Sequence, residues 1–160
     1  MFWFDKGNPD VLFVDRREVE PISVGKGRNA RMFSCKPDMV MDFRALDLQD
    51  DTFSLVVFDP PHLLRGGDNS YMVQKYSKLN ILTWRDDLRK GFAECFRVLK
   101  QNGVLVFKWN ESQIPLAEVL KLSPVDPLFG HPSGKKLKTH WVCFMKLAPT
   151  EGGKDNENVV

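Results

Sequence analysis

The stretch LVVFDPPH, residues 55–62, decides the fold of this chain. Its first four residues are large and apolar, which predicts a short strand buried on both faces inside a parallel sheet. Pro60 and Pro61 end that strand, because they fix φ twice and remove two backbone donors. The Asp59 carboxylate, the Pro60 carbonyl and the His62 ring are therefore held stiffly at the carboxyl end of a strand. Ligands bind at that edge of open α/β sheets, so the stretch predicts a functional site.

Length and composition set limits on the whole protein. A chain of 160 residues can form one domain with a substantial core, which we place at residues 1–147, followed by a flexible polar tail at 148–160. The net charge is only +2, so any surface for nucleic acid must be local. No apolar run is long enough to cross a membrane, and no signal peptide is evident. Three widely spaced cysteines match no zinc motif, which favours a reduced, cytoplasmic setting.

Strands and helices alternate along the chain, which predicts an α/β fold with a mostly parallel sheet covered by helices. The predicted strands cover residues 11–14, 39–41, 55–58, 104–107, 127–130 and 139–146, and the last two form an antiparallel hairpin. A helix and turn are predicted at 46–53, and helices at 83–100 and 113–122. The helix at 83–100 has the clearest pattern, because Thr83 and Asp86 resemble a capping box and Asn102-Gly103 provides a stop.

Two basic segments lie between these elements. Residues 16–37 show no clear periodicity and predict a solvated loop with the cations of Gly25-Lys26-Gly27-Arg28 and Arg31, whose charge could meet a nucleic-acid backbone. The loop between the last two strands carries Lys135, Lys136 and Lys138. His131 and His140 flank that loop without a third ligand, so we predict no metal site.

Residues 63–82 are long for a connection in a compact domain, which indicates a functional or mobile segment. The segment interleaves aromatic rings and cations at Tyr71, Lys75, Tyr76 and Lys78. Such interleaving suits a contact with nucleic acid. A surface flap with some helix explains the same residues equally well.

Residues 55–62 resemble the Asp/Asn-Pro-Pro-aromatic motif of amino-group methyltransferases that use S-adenosylmethionine. Residues 42–57 and the helix-to-strand passage at 96–105 are similar to the same class. The resemblance implies a Rossmann-like class I methyltransferase, and within that class a prophage-type group of candidate DNA methyltransferases that carry Asp-Pro-Pro-His. Its implied target is an exocyclic amine of a nucleobase. Adenine N6 in DNA is favoured over RNA, cytosine N4 or a protein glutamine.

The resemblance also implies a catalytic role for Asp59, Pro60, Pro61 and His62. The Asp59 side chain and a main-chain carbonyl near Pro60 would accept hydrogen bonds from the target amine and aim its lone pair. His62 would stack on a base pulled from its helix, where relatives more often carry Tyr, Phe or Trp. The alternative is that Asp59 merely caps the proline turn.

Cofactor and substrate positions follow from the same resemblance. Acidic residues that end early strands bind ribose hydroxyls in dinucleotide and S-adenosylmethionine sites, which implies that role for Asp15, although an ordinary strand-end Asp is the alternative. Asp42 would read the adenine amine of the cofactor and Phe43 would pack on its ring. Asp59 would also line the cofactor site. The implied substrate-binding residues are His62, Tyr71, Lys75 and Lys108.

The chain departs from the methyltransferase pattern at its beginning. Relatives start with a central strand and a glycine-rich turn that carries the methionine end of the cofactor, and neither precedes Val11 here. Either residues 2–4 supply a short remnant of that strand, or the chain starts inside the domain. Without the strand, a gap is expected between the strand that ends at Asp15 and the one that ends at Asp59. The alternative function is therefore an inactive relative that binds nucleic acid or a protein partner.

Overall fold

The structure, a computed structural model, describes residues 3–25 and 27–147, except for the side chain of Asn29. The predicted tail at 148–160 lies outside these residues. In chain order the described elements are β1 (Val14–Asp15), β2 (Val19–Val24), β3 (Arg31–Cys35), β4 (Met39–Val40), β5 (Phe53–Phe58), α1 (Tyr71–Tyr76), α2 (Trp84–Val98), β6 (Leu99–Asn110), α3 (Leu116–Leu120), β7 (Phe129–Ser133) and β8 (Thr139–Met145). A short 3₁₀ turn, Gly27–Asn29, joins β2 to β3.

The largest sheet has the strand order β5-β6-β8-β7. Strand β5 runs parallel to β6, and β6, β8 and β7 are antiparallel neighbours. The α/β class and the C-terminal hairpin are thus confirmed, but this sheet is mixed rather than mostly parallel, because β8 turns back beside β6. In the register of β5 and β6, Phe58 lies opposite Phe107, which places Asp59 beside Lys108.

The core lies between α2 and the middle of this sheet. The ring of Phe92 on α2 contacts Phe107 at 4.9 Å and Phe144 at 6.0 Å between centroids, and all three side chains are fully buried. The helical face predicted for this segment, Leu88, Phe92, Cys95, Phe96 and Leu99, is buried throughout. A stripe of apolar residues repeating at helical spacing therefore identified the right face.

The helix begins where it was predicted to, since Thr83 is its N-cap residue, but the predicted capping box and the predicted stop are wrong. Helix α2 stops at Val98, and Leu99 already begins β6, so Asn102-Gly103 lies within the strand segment and is not a helix stop. Asn102 has φ 61°, and its amide donates to the Lys146 carbonyl at 2.7 Å. At the other end the Thr83 hydroxyl donates to the Asp87 carboxylate at 2.8 Å and does not cap the helix backbone.

Strand β5 is more exposed than its apolar sequence predicts. Leu55 is 52% exposed, because β5 is the edge strand of its sheet and pairs only with β6 among the described residues. Strands β1 and β4 form a separate parallel pair, so the expected gap between Asp15 and Asp59 is present. Trp3 and Phe4 do not fill it as a strand; Trp3 instead packs edge-on against Phe13 at 5.5 Å.

Two further segments differ from the prediction. Residues 16–37 form the antiparallel hairpin of β2 and β3 instead of a loop. Only Val24 and Cys35 of this hairpin are buried, so the sequence carries no clear hydrophobic alternation. Residues 46–52 have the predicted turn, at Asp50-Asp51, but are otherwise irregular and contain no helix; the Arg97 guanidinium holds them by donating to the carbonyls of Leu46 and Leu48. Strand β1 includes only Val14 of the apolar run predicted at residues 11–14.

Candidate active site

The centre of the site is an ion pair at the carboxyl ends of two parallel strands. Asp59 Oδ2 lies 2.7 Å from Lys108 Nζ, and the side chains are 27% and 21% exposed. Lys108 stands one residue beyond Phe107 on β6, so the parallel register itself brings the two charges together. A carboxylate accepts several hydrogen bonds, which leaves Oδ1 able to take a second donor. Lys108 therefore orients Asp59, and its predicted contact with substrate stays a prediction.

His62 is buried behind this pair, with 8% of its surface exposed. Its ring centroid lies 5.4 Å from that of Tyr76 and 6.3 Å from that of Trp109. Burial lowers the pKa of His62 below its ordinary value, and the charge of Asp59 opposes this only partly, so the ring is neutral at pH 7. The face predicted to stack on a base is covered by Tyr76, and a base reaches His62 only if that ring moves aside.

Residues 63–82 form an ordered flap that includes α1. The side chain of Gln113 fixes the start of the flap, because its Oε1 accepts from the amides of Leu64 and Arg65 at 2.8 Å each. At the far end the Leu79 amide donates to the Leu63 carbonyl at 2.8 Å. The segment contains some helix, as the flap interpretation predicts, and its contact with nucleic acid stays a prediction. Its helix places Tyr76 over the proline motif.

Tyr71 and Lys75, both predicted to bind substrate, lie on the same helix as Tyr76. Lys75 Nζ lies 5.6 Å from the ring centroid of Tyr71 and 5.0 Å from that of Tyr76. Partial burial acts to lower the pKa of Lys75, but its contacts with both phenols outweigh burial and raise the pKa above its ordinary value. Lys75 is therefore a permanent cation between two aromatic rings, which is the setting predicted for it.

Asp15 ends β1 and is held by an arginine two residues later. Arg17 Nε lies 3.2 Å from Asp15 Oδ1, and the Arg17 amide donates to the same oxygen at 2.8 Å. Burial acts to raise the pKa of Asp15, but these bonds lower it overall, so the carboxylate is ionised. Arg17 also donates to the carbonyls of Gln74 and Lys75 at 3.1 and 3.3 Å, which ties the end of β1 to the end of α1.

Asp42 follows β4 and repeats this arrangement. Arg44 Nη2 lies 2.6 Å from Asp42 Oδ2, and Arg44 Nη1 lies 3.0 Å from Asp87 Oδ1 on α2. The hydrogen bonds from Arg44 hold the pKa of Asp42 below its ordinary value. Phe43, which stands between Asp42 and Arg44 in the sequence, packs on Phe58 with ring centroids 5.4 Å apart. This contact brings the carboxyl end of β4 to the carboxyl end of β5.

Sequence reasoning identified both acids but missed their arginines. The pattern Asp-x-Arg occurs at Asp15-Arg16-Arg17 and again at Asp42-Phe43-Arg44, each time after a short apolar strand. That repetition was a usable signal. Gln113 had no comparable signal, because its partners Leu64 and Arg65 are nearly fifty residues away in sequence.

The basic loop at residues 134–138 lies at the same edge as Asp59. Thr139 pairs with Asn110 at the carboxyl end of β6, and the Glu111 amide donates to the Lys138 carbonyl at 2.9 Å. The structure thus places the loop that carries Lys135, Lys136 and Lys138 at the sheet edge where Asp59 lies. Nearby, His140 Nε2 lies 2.9 Å from Glu111 Oε1. Within residues 3–25 and 27–147, no group of three or more metal-binding side chains is found, and no helix is long and apolar enough to cross a membrane.

The sequence matches no protein-family model and no curated protein. Several solved structures are similar in fold. A protein from Pyrococcus horikoshii OT3 is 15% identical, with a TM-score of 0.48, over 69% of this chain and 58% of its own. A SAM-dependent methyltransferase from Leishmania major is 17% identical, with a TM-score of 0.44, over 68% of this chain and 44% of its own.

A third similar structure comes from Thermus thermophilus, where it is named as a candidate DNA modification methylase and is complexed with S-adenosyl-L-methionine. It is 17% identical, with a TM-score of 0.44, over 72% of this chain and 56% of its own. The chain spans about half the length of the three solved structures. At these identities the likeness concerns the fold, so a proposal about function rests on the geometry of the site.

Proposed function

We propose that this chain is the S-adenosylmethionine-dependent methyltransferase domain of an enzyme that modifies an exocyclic amine of a nucleobase, with adenine N6 in DNA as the favoured target. The observation that carries the proposal is the rigid Asp59-Pro60-Pro61-His62 turn at the carboxyl end of β5. In it Asp59 is oriented by Lys108 at 2.7 Å, and His62 packs against Tyr76 of the flap with ring centroids 5.4 Å apart.

The chemistry follows from which groups of this turn can accept a hydrogen bond. An exocyclic amine conjugated to a ring is a poor nucleophile, so Asp59 Oδ1 and the Pro60 carbonyl accept its two hydrogens and shift electron density onto nitrogen. S-adenosylmethionine, when bound, supplies the methyl group of its sulfonium. Positive charge grows on the attacking nitrogen, and the Asp59 carboxylate stabilises it. The nitrogen loses its proton after attack, so no base is needed beforehand.

The residues present fit the adenosine half of the cofactor. Asp15 and Asp42 are ionised, their side chains are 34% and 27% exposed, and they lie at the carboxyl ends of β1 and β4. Each carboxylate can accept from a hydroxyl or an amine while it keeps its arginine. For the methionine half, the described residues provide no strand and glycine-rich turn between β1 and β5.

We expect Asp42→Ala to weaken the binding of S-adenosylmethionine about 10- to 150-fold, because a hydrogen bond to a charged group contributes about 1.5–3 kcal/mol. Isothermal titration measures this effect. Asp126→Ala, an exposed acid before β7, is the matched control and should bind as the wild type does. Thermal melting of both variants separates lost affinity from lost structure. If a well-folded Asp42→Ala protein binds S-adenosylmethionine with unchanged affinity, Asp42 does not bind the cofactor.

We expect His62→Ala to weaken nucleic-acid binding by about 1–3 kcal/mol if the ring stacks on a base, whereas His62→Phe should bind at least as well as the wild type. Fluorescence anisotropy with a single-stranded oligonucleotide measures both. His131→Ala, on the exposed β7, is the control. If all three variants bind nucleic acid equally well, His62 does not stack on a base and only supports the ring of Tyr76.

The proposed function is tested by incubating the protein with isotope-labelled S-adenosylmethionine and oligonucleotides that contain adenine or cytosine, as DNA or RNA. Mass spectrometry of the digested product identifies the modified base. N6-methyladenine in the DNA sample is the expected result. Binding of the cofactor without label in any nucleic acid would overturn the substrate assignment.

The second candidate, an inactive relative that binds nucleic acid or a protein, is favoured by one observation. The open edge of β5, with Leu55 52% exposed, borders the place where the methionine half of the cofactor would need support. Titration with S-adenosylmethionine separates the two candidates. An inactive binding protein would show no heat of binding while it still retained nucleic acid or its partner.

A further inference from the structure

The hairpin of β2 and β3 has an unusual place in the chain. It connects β1 to β4, two parallel neighbours, whose crossover in an α/β fold is usually a helix. Among the described residues its strands pair only with each other. A hairpin of two strands is marginally stable by itself, so contacts at its base must fix its position.

The side chain of Arg17 makes several of the contacts at the base of the hairpin. The Arg17 guanidinium lies 5.9 Å from the ring centroid of Phe33 on β3, while it also binds Asp15 and the carbonyls at the end of α1. Hairpin, β1 and α1 therefore meet at a single side chain. The hairpin is positioned against the flap that covers the proline motif.

The tip of the hairpin is basic and open. The backbone turns through Gly25 and Gly27, with φ values of 92° and 55°, and a Cβ built at Gly27 would meet nothing within 4 Å. Arg28 and Arg31 are exposed at this turn. The acidic residues of the hairpin, Glu18 and Glu20, lie at the opposite end, beside the start of β2. The tip therefore carries cations without acids, whereas the base carries both.

A continuous row of cations and rings runs from this tip to the catalytic motif. Arg31 lies 5.9 Å from the centroid of Tyr71, Lys75 bridges Tyr71 and Tyr76 at 5.6 and 5.0 Å, and Tyr76 covers His62 at 5.4 Å. Proteins that bind single-stranded nucleic acid combine cations for phosphates with rings for bases. The row offers both in alternation.

We propose that the hairpin is an arm that holds the backbone of the strand carrying the target base, with Arg28 and Arg31 on its phosphates and an unpaired segment crossing α1 towards Asp59. This inference rests on the proposed function, because it takes nucleic acid as the substrate. It assigns a role to Arg28 and Arg31 at the tip of the hairpin, which the catalytic site does not use.

The test is the double variant Arg28→Ala/Arg31→Ala in an anisotropy titration with single-stranded and double-stranded DNA at several salt concentrations. Two lost phosphate contacts should weaken single-strand binding roughly 10- to 25-fold at about 0.1 M salt and reduce the salt slope by about 1.4. Arg28→Lys/Arg31→Lys keeps the charge and should retain most of the affinity. Arg89→Ala/Lys100→Ala removes equal charge from α2 and from the amino end of β6, and should bind as the wild type does.

The outcomes are distinct. If the wild type binds DNA and the alanine double variant binds it equally well, the proposed role of the hairpin in binding DNA is wrong, while the proposed function is unaffected. If the wild type prefers duplex and only duplex binding responds to the arginines, the unpaired-strand path is wrong. If the wild type binds no nucleic acid at low salt, the proposed substrate fails and the arm fails with it. Unchanged thermal melting confirms that a loss of binding is not a loss of fold.

Discussion

Asp59→Ala is expected to slow methyl transfer by a factor of about 10² to 10³, which corresponds to roughly 2.7–4 kcal/mol for one lost transition-state hydrogen bond. The Asp59 carboxylate, fixed by Lys108 at 2.7 Å, is the group that accepts from the amine and faces the charge developing on nitrogen. Alanine at this position removes the acceptor and leaves the Lys108 ammonium beside the reacting nitrogen. Both changes raise the barrier.

Single-turnover kinetics with labelled S-adenosylmethionine measures the effect, and titration should show cofactor affinity close to that of the wild type. Asp59→Asn is the informative second variant, because it keeps a carbonyl oxygen and should retain more activity than alanine. If Asp59→Ala melts early, the residue supports the proline turn and the rate of that variant cannot be assigned to catalysis. The rate of methyl transfer by Asp59→Asn then decides whether Asp59 is catalytic. Transfer at the wild-type rate in a well-folded variant would rule out the catalytic role.

Phe107→Ala is expected to lower the free energy of unfolding by about 3–5 kcal/mol, a large part of the roughly 5–15 kcal/mol that stabilises a typical domain. Phe107 has no exposed surface, and its ring contacts Phe92 at 4.9 Å, Phe58 at 5.7 Å and Trp109 at 5.8 Å. Alanine leaves a cavity between the sheet and α2. The strand that carries Lys108 also loses its ring contact with Phe92 of α2.

Denaturant unfolding followed by tryptophan fluorescence gives the free energy. Phe129→Ala is the matched control, since Phe129 is 69% exposed on the edge strand β7 and should change stability little. If Phe107→Ala does not fold at all, Phe107→Leu gives a smaller loss that can be measured. Equal stabilities for the Phe107 and Phe129 variants would show that the core is not centred on α2 and β6.

The proline motif and the helix face were readable from the sequence because both depend on nearby residues. Pro60 and Pro61 end β5 whatever surrounds them, so the strand end at Asp59 is where the pattern predicts it. The apolar stripe of α2 repeats at helical spacing, and the residues on it are buried. The α/β class and the final hairpin follow from the same local periodicities.

Segments with little burial were misjudged for the opposite reason. The β2–β3 hairpin has a mostly exposed surface and a proline inside β2, so neither alternation nor composition marks it as a pair of strands. The end of α2 was misplaced because Leu99 fits a helix face as well as a strand. Its strand conformation is decided by pairing with Phe53, almost fifty residues earlier.

Sequence alone therefore established where one strand stops, which face of α2 is apolar and which acids stand at strand ends, since each depends on steric limits or periodicity within a few residues. Only the tertiary structure decided that Lys108 binds Asp59, that Arg17 joins β1 to α1, and that Tyr76 covers His62. These contacts join residues that are distant in the chain, except for Tyr76 and His62, whose contact depends on the path of the flap. The physical reason is that strand register and helix packing set such distances, and no local pattern encodes either one.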